Sequence, residues 1–303
     1  MMLTPYIKVT DFTECQRLFH GRGHAYPHLS HVNVDWFSPV ILITLYQEVD
    51  SHWLLSQAQQ LITLTAHCTS VQVQYRSRPF APTEVLLGEN ISHTVVKELA
   101  LSYNIHFGQA QNSGLFLDMS NGRQWVMEHA KDKNILNLFA YTCPFSVVAV
   151  AGGAKQVVNI DISKASLTKG RENHRLNHHP MQRVKFEGVD IFKSNSRIKK
   201  YGPYDLIISD PPTMQQGSVD IERDYKKIVQ KVPLWLKPGG EIILCLNSPD
   251  LSEQFLLALI DLHCPQCHLI EQIKPPVVFK EAVQGKGLKF MVFRYQPESV
   301  AVN

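Results

Sequence analysis

Several features that would decide the class of this protein at once are missing from its 303 residues. The six cysteines are scattered along the chain, which disfavours a small secreted domain held together by disulfides. No stretch approaches the roughly 18 apolar residues that a membrane-spanning helix needs. The first residues do not read as a signal peptide, because Pro5 interrupts them and no small-residue cleavage site follows. These absences predict a cytoplasmic protein.

The chain also lacks a large excess of either positive or negative charge. The formal net charge is only +3, so a nucleic-acid partner is allowed but not required. Hydrophobic residues make up 44% of the chain and charged residues 19%, which is enough apolar material for a sizeable core. Because single domains centre on roughly 100–150 residues, the length favours two domains.

A Gly-x-Gly-x-x-Gly motif is absent as well, although the chain has the layout of a nucleotide-binding unit. Residues 135–139 read as a strand, residues 145–151 as a helix and residues 157–160 as a second strand that ends at Asp161. In such a unit the turn and the start of the helix face the polar tail of a ligand, and the acid accepts hydrogen bonds from ribose hydroxyls. Without the glycine motif a pyrophosphate is disfavoured. A ligand with a ribose and no phosphates, such as S-adenosylmethionine, fits better.

The regular alternation of strands and helices from about residue 105 onward predicts the domain organisation. We expect residues 105–303 to form an α/β, Rossmann-like domain with a seven-stranded doubly wound sheet whose last strand is antiparallel. Residues 1–104 read as a small α+β domain that is a candidate for RNA binding. The predicted strands of the second domain are residues 135–139, 157–160, 183–187, 204–209, 241–246, 268–274 and 288–295, with a long helix at 220–236.

Three acids follow successive predicted strands, at the edge of the sheet where such folds bind ligands. Asp161 would hold the ribose, and Asp190 would accept from an adenine amino group while Ile191 packs on the ring. Asp210 would lie near the reacting group. Any one aspartate after a strand is more often a helix cap or a turn residue. Three of them in this register favour a ligand site.

The third acid opens the most specific motif, Asp210-Pro-Pro-Thr213. Pro211 and Pro212 fix their φ angles and remove two backbone donors, so their carbonyls are rigidly placed and free to accept from an amino group of a base. A proline pair could also simply end the strand.

Taken together, these segments resemble a known family. Residues 137–142 (Asn-Leu-Phe-Ala-Tyr-Thr), 158–161 (Val-Asn-Ile-Asp), 171–173 (Arg-Glu-Asn) and 210–213 look like class I S-adenosylmethionine-dependent methyltransferases. Among these, they are most similar to the bacterial enzymes that methylate bases of large-subunit ribosomal RNA. Residues 113–118 (Ser-Gly-Leu-Phe-Leu-Asp) resemble the segment that leads into the catalytic domain of that family.

The resemblance covers about residues 112–295, and residues 18–105 more loosely resemble the small domain that those enzymes use against RNA. It implies a role in rRNA processing, with S-adenosylmethionine as cofactor and ribosomal RNA as partner. The cofactor-binding residues that it implies are Asp118, Asn137, Phe139, Ala140, Tyr141, Thr142, Asp161, Ile162, Asp190, Ile191 and Asp210.

Two departures from the family pattern matter. Cys143-Pro144 stands where relatives usually have Gly-Gly, so room is lost where the backbone approaches the methionine end of the cofactor. The second departure is Asn247, which occupies the position of the nucleophilic cysteine in members that methylate cytosine C5. Members that methylate guanine N7 also carry asparagine there. Since N7 has its own lone pair, it needs positioning and electrostatic support but no covalent catalyst.

The resemblance therefore favours the N7-guanine (K-type) branch over the cytosine-5 (I-type) branch. We expect in-line methyl transfer to a base held by Asp210, Pro211, Pro212 and Asn247, flipped out if it comes from a helix. Cys245 keeps the cytosine alternative open, although it is displaced by roughly 6–7 Å along the strand. A non-catalytic RNA-binding protein with this fold, and an enzyme acting on a small molecule or a protein, are further alternatives.

The remaining motifs give less information about function. Cys264-Pro-Gln-Cys267, flanked by two histidines, lacks the second pair that structural zinc requires, and no metal site is expected. The histidine-rich residues 20–31 are a surface loop or an RNA contact. Basic positions such as Lys227 and Lys231 read mainly as solvated helix faces, of which some could track phosphates. The oligomeric state cannot be read from the sequence.

Overall fold

The computed structural model describes residues 2–9, 11–212 and 220–297. Its chain forms two compact units. The first contains residues 1–120 together with the later segment 276–284, and the second contains residues 121–275 and 285–303. The boundary expected between residues 104 and 105 lies inside a strand, Leu101–His106, of the first unit.

The strands of the first unit are β1 (Gln16–His20), β2 (Val32–Phe37), β3 (Val40–Leu45), β4 (Ser70–Tyr75), β5 (Thr83–Gly88), β6 (His93–Glu98) and β7 (Leu101–His106). The first five form one sheet with the strand order β1-β2-β3-β4-β5. Its α-helix α1 (Ser51–Leu61) connects the parallel pair β3 and β4, and it begins after Asp50, whose carboxylate accepts from the Trp53 backbone amide at 2.8 Å. β6 and β7 pair with each other as a separate antiparallel hairpin.

Segment 276–284 joins the first unit by backbone contact. The Ala282 amide donates to the Gly23 carbonyl at 2.7 Å, and a Cβ on Gly23 would stand 2.0 Å from the Lys280 carbonyl oxygen. His20, the first of the histidine-rich residues 20–31 and the last residue of β1, packs its ring 5.1 Å from that of Phe279. Burial, together with nearby Arg17, lowers the pKa of His20 to about 3. His20 thus has a packing role, and RNA contact by the rest of the loop stays a prediction.

The second unit alternates strands and helices as predicted. Its strands are β8 (Asn134–Leu138), β9 (Gln156–Asp161), β10 (Val184–Gly188), β11 (Tyr204–Ser209), β12 (Leu236–Leu246), β13 (Cys267–Gln272) and β14 (Lys289–Tyr295). Its helices are α2 (Ser120–His129), α3 (Pro144–Ala151), α4 (Lys164–Leu176), α5 (Asn195–Tyr201), α6 (Ile221–Val229), α7 (Val232–Trp235) and α8 (Glu253–His263).

These strands form one seven-stranded sheet in the order β10-β9-β8-β11-β12-β14-β13. The first five strands are parallel, and β14 runs antiparallel to both β12 and β13. The expected doubly wound α/β fold with an antiparallel last strand is confirmed. The order reverses at β8, so the edge where β8, β9 and β11 end is the topological switch point at which such folds bind ligands.

One long helix was expected at 220–236, and this was wrong in detail. The helix ends at Val229, and a separate turn, α7, starts at Val232 with Pro233 at its beginning. Proline has no amide to continue the hydrogen-bond ladder of a preceding helix. Leu236 then opens β12, five residues earlier than predicted.

Both faces of this sheet are covered. One face buries Ile207, Leu244 and Trp235 with side chains of α6 and α8. On the other face the Phe145 ring of α3 lies 6.1 Å from the Phe290 ring, which also fills the space beside Gly122 of α2. Among the described residues, no helix combines the length and the apolar character that crossing a membrane requires.

Candidate active site

The turn after β8 holds three non-glycine residues in the left-handed region. The φ angles are +56° at Phe139, +49° at Tyr141 and +62° at Cys143. Such residues are uncommon and cost free energy unless the surrounding structure holds them. Here the Ala140 amide donates to the Ile160 carbonyl at 3.1 Å, and the Cys143 amide donates to the Ala140 carbonyl at 2.7 Å. The turn is therefore fixed to the end of β9.

Asp161 ties this turn to the loop that follows β9. One carboxylate oxygen accepts from the Tyr141 amide at 2.8 Å, and the other accepts from the Ser163 amide at 2.7 Å. Each carboxylate oxygen retains further acceptor capacity. Asp161 can thus support the turn and accept from hydroxyl groups of a ligand at the same time. Ile162, the next residue, is 73% exposed and offers an apolar surface beside it.

The Cys143 side chain points into the core, where it is fully buried. It lies against Gly170 of α4, so closely that a Cβ on Gly170 would stand 2.4 Å from the Cys143 sulfur. Burial raises the pKa of this thiol well above its ordinary value, which makes it an inert packing group. Pro144 is the first residue of α3, where the missing amide costs nothing. The departure from Gly-Gly is accommodated by Gly170.

Asn173 lies one helical turn after Gly170 in α4, and it also stabilises the turn that follows β8. Its side-chain amide donates to the Thr142 carbonyl at 3.0 Å, and both residues are 1% exposed. Ala140 and Thr142 contribute buried side chains, so what this turn presents outward is mainly backbone, with the half-buried Tyr141.

Asp190 follows β10 and caps the short 3-10 turn Ile191–Lys193 by accepting from the Phe192 amide at 2.8 Å. Ile191, expected to pack on an adenine ring, is only 6% exposed and lies in the core. Its neighbour Phe192 is half-buried instead, with its ring 6.2 Å from that of Phe139. This aromatic pair joins the turn after β8 to the turn that contains Asp190.

Asn137 lies inside the unit rather than on its surface. Its side-chain amide donates to Asn159 at 2.9 Å, Asn159 donates to the Ser146 hydroxyl at 2.9 Å, and Ser146 is 2.9 Å from Nε2 of His174. This series of hydrogen bonds ends at His179, whose Nδ1 is 3.0 Å from Nδ1 of His174. Burial lowers the pKa of His174 to about 3, so this ring is neutral at pH 7. The network fixes β8, β9, α3 and α4 relative to one another.

Asp210 and Asn247 follow the adjacent parallel strands β11 and β12. The ends of these strands are joined by the Tyr225 hydroxyl of α6, which lies 3.0 Å from the Ser209 carbonyl and 2.9 Å from the Cys245 carbonyl. Asn247 is exposed and Asp210 half-buried. Pro211 is buried and Pro212 half-buried, while Thr213 lies outside the described residues.

Cys245 has a different environment from Asn247. It is 0% exposed and pairs in register with Phe290, on the sheet face that packs against α2 and α3. Cys264 and Cys267 are likewise buried, with their sulfurs 3.5 Å apart. Within the described ranges, no group of three or more potential metal ligands comes together.

Comparison with known proteins decides the family. A sequence profile described as S-adenosylmethionine-dependent methyltransferase matches residues 16–294. The chain belongs to this family.

Two relatives and one solved structure illustrate the similarity. The chain is 32% identical over 231 residues to the ribosomal RNA large subunit methyltransferase K/L of Pseudoalteromonas translucida, covering 72% of this chain and 32% of that protein. It is 29% identical over 241 residues to the ribosomal RNA large subunit methyltransferase I of Vibrio vulnificus, covering 76% and 60%. SMU.776, described as a methyltransferase and crystallised with SAH, superposes with a TM-score of 0.84 at 22% identity, over 97% of this chain and 82% of that one.

The chain therefore spans about a third of the first relative and less than two thirds of the second. The expected resemblance to methyltransferases of the K/L and I types is confirmed, and so is S-adenosylmethionine as the cofactor of the family. Asp118 lies in the short 3-10 turn Leu117–Met119 of the first unit, and its role toward the cofactor remains a prediction.

Sequence reasoning missed two residues that shape this methyltransferase site. Gly170 makes room for Cys143, and Phe192 rather than Ile191 presents an apolar surface beside Asp190. A glycine in the middle of a predicted helix was the available signal for the first, because it usually marks a close approach. Nothing in the local pattern distinguishes Phe192 from Ile191.

Proposed function

We propose that this methyltransferase transfers a methyl group from S-adenosylmethionine to a base of ribosomal RNA, and that guanine N7 is the acceptor. Relatives named for large-subunit ribosomal RNA support the substrate class. An exposed Asn247 above a fully buried Cys245, at the end of β12, is the observation that supports the choice of atom. Such a substrate would be met in the cytoplasm.

The side chains at the switch point fit the cofactor. Asp161 has acceptor capacity for two ribose hydroxyls, and Asp190 can accept from the adenine amino group. Ile162 and Phe192 would offer apolar surface to the adenine ring. Because the thiol of Cys143 is packed against Gly170, the turn 139–142 can approach the methionine end through backbone atoms. Asn137 supports this turn from within the core.

When bound, S-adenosylmethionine supplies an electrophilic methyl group. The protein then has to hold the acceptor atom in line with it and to stabilise the positive charge that the base acquires. We assign the electrostatic support to the Asp210 carboxylate. The Pro211 carbonyl and the Asn247 side-chain amide read the edge of the base, with Pro212 fixing the shape of the loop. No proton has to be removed from N7, so no strong base is required.

The cytosine-C5 alternative needs a thiolate that reaches C6 of the ring. Cys245 is fully buried on the face of α2 and α3, and this alternative would require the strand end to open. The non-catalytic alternative was motivated by Cys143-Pro144, and the packing of Cys143 into the core removes that motive. An enzyme acting on a small molecule or a protein has no supporting feature beyond the shared fold.

Tritium transfer tests the proposal. Purified protein is incubated with methyl-labelled S-adenosylmethionine and total RNA from cells that lack the gene, and the RNA is digested to nucleosides. Label in N7-methylguanosine is the expected result. Label in C5-methylcytidine would overturn the choice of atom, and label recovered only in protein or small molecules would overturn the substrate class.

A further inference from the structure

Positive charge is concentrated in two short parts of the second unit. Residues 191–201 and 221–235 together hold eight Lys and Arg against two Asp and Glu, a net charge of +6. The whole chain holds 30 against 27, a net charge of +3. All other residues taken together are therefore net negative. An uneven distribution of this kind is the electrostatic footprint of a surface that binds an anionic polymer.

The fold brings these two parts together. The Trp235 indole of α7 donates to the Asn195 side chain of α5 at 2.7 Å. Between them lies a crevice lined by Phe192, Asn195, Lys227, Lys231 and Trp235, with a volume of about 30 Å³. A crevice of this size can take a water-sized group such as one phosphate oxygen. Its lining combines apolar side chains with the side chains of two lysines.

The acids nearby neutralise only part of this charge. Asp224 is buried and shared by Arg223 at 3.0 Å and Lys227 at 2.7 Å, and these hydrogen bonds lower the pKa of its carboxyl. Lys193, which is 85% exposed, lies 3.7 Å from Asp190.

Four more lysines of these segments have no carboxylate within 4.0 Å in the part of the chain that the structure describes. We call the exposed lysines of both segments together with Lys231 the basic face: Lys193, Lys199, Lys200, Lys226, Lys227 and Lys231.

We propose that the basic face binds the phosphodiester backbone of the RNA substrate. This inference rests on the proposed function and extends it to a second contact surface on the methyltransferase unit itself. Lys193 is the last residue of the turn that Asp190 caps, so a strand bound here would run beside the cofactor edge of the sheet. Phosphate contacts position a nucleic acid without reading its sequence. The basic face would thus orient the RNA, and the residues at β11 and β12 would select the base.

Salt dependence of RNA binding is the test, because each phosphate contact that is formed releases counterions. The probe is protein-free large-subunit ribosomal RNA, and affinity for the full chain is measured by filter binding over a series of salt concentrations. Lys231→Gln keeps the pairing of Lys227 with Asp224 intact, and Lys227→Gln/Lys231→Gln removes two charges of the crevice. The matched control, Lys131→Gln/Lys155→Gln, removes two exposed lysines that precede β8 and β9 and lie outside both basic segments.

The slope of log affinity against log salt should fall by roughly 0.7–0.9 for Lys231→Gln and about twice that for the double variant. The control should keep the wild-type slope, and all variants should bind S-adenosylmethionine as wild type does. If wild type methylates the RNA while the crevice variants keep its slope, this proposal is overturned and the proposed function stands. If wild type neither binds nor methylates RNA, both are overturned.

Discussion

The sulfur of Cys143 occupies the space that a side chain on Gly170 would need. A Cβ added to Gly170 would come within 2.4 Å of that sulfur, on the buried side of the turn that approaches the cofactor. A residue that departs from the family pattern is thus matched by a glycine on the helix behind it.

This pairing predicts that Gly170→Ala is harmful even though alanine is the better helix former. Overpacking should destabilise the protein by about 1–3 kcal/mol and weaken S-adenosylmethionine binding, because the turn must shift. Cys143→Gly should rescue the variant, since glycine removes the sulfur and tolerates a φ of +62°. Denaturant unfolding and cofactor titration of both single variants and the double variant measure the coupling. Equal effects of Gly170→Ala in the two backgrounds would refute the pairing.

Asn173→Ala should weaken cofactor binding, although Asn173 itself is not among the residues expected to contact the cofactor. It leaves the buried Thr142 carbonyl without the amide of Asn173, at a cost of about 1–3 kcal/mol, and frees the turn. We expect the dissociation constant for S-adenosylmethionine to rise about tenfold. Asn177→Ala, which removes a similar hydrogen bond to the Asn173 carbonyl in the last turn of α4, is the control and should leave that constant near wild type. Similar cofactor affinity for both variants would contradict the role of Asn173.

His174 makes stability depend on pH in a defined direction. Its pKa is lowered to about 3 in the folded protein, below the ordinary value of 6.5, so between these values the unfolded chain binds the extra proton. Stability should therefore fall as pH is lowered from about 6.5 toward 3, by up to about 1.4 kcal/mol per pH unit for this group. Denaturant unfolding of His174→Gln should show a lower stability at pH 7 and a shallower fall in acid. A wild-type slope in this variant would show that His174 is not the source.

Truncation of Asn247 and truncation of Cys245 should have different effects on methyl transfer. Asn247→Ala should lower kcat/KM for RNA methylation by about 10- to 100-fold while cofactor affinity is kept, because only the base loses a positioning contact. Cys245→Ala should retain methyl transfer, with a loss of stability that reflects its buried position. If Cys245→Ala is folded and binds the cofactor but is inactive, covalent catalysis at C5 replaces the N7 mechanism.

The strands of the second unit could be predicted because each is a short apolar run bounded by turn residues, as at 204–209. The acids at their ends followed from the direction of parallel strands. In the first unit the sequence of β2 alternates apolar and polar residues, as a strand with one solvated face would, yet Asn33 and Asp35 are buried along with their apolar neighbours. Membership of residues 276–284 in that unit depends on backbone contacts with Gly23, more than 250 positions earlier, which no local pattern encodes.

The site residues also fall into those that the sequence could predict and those that it could not. Asp161, Asp190 and Asp210 could be named from their positions after strands. The inward direction of Ile191 and the contact of Cys143 with Gly170 depend on how helices pack on the sheet, and sequence spacing does not fix that packing.

Isothermal titration of the purified chain with S-adenosylmethionine tests directly whether the turn containing Cys143 leaves a working cofactor site. We expect one site per chain, with a dissociation constant in the range of about 1 μM to 1 mM that is typical of Michaelis constants. Asp161→Ala should weaken it strongly, since the ribose contact and the hold on the Tyr141 amide are lost together. Absence of binding at millimolar cofactor, in protein shown to be folded, would mean that the turn does not admit S-adenosylmethionine.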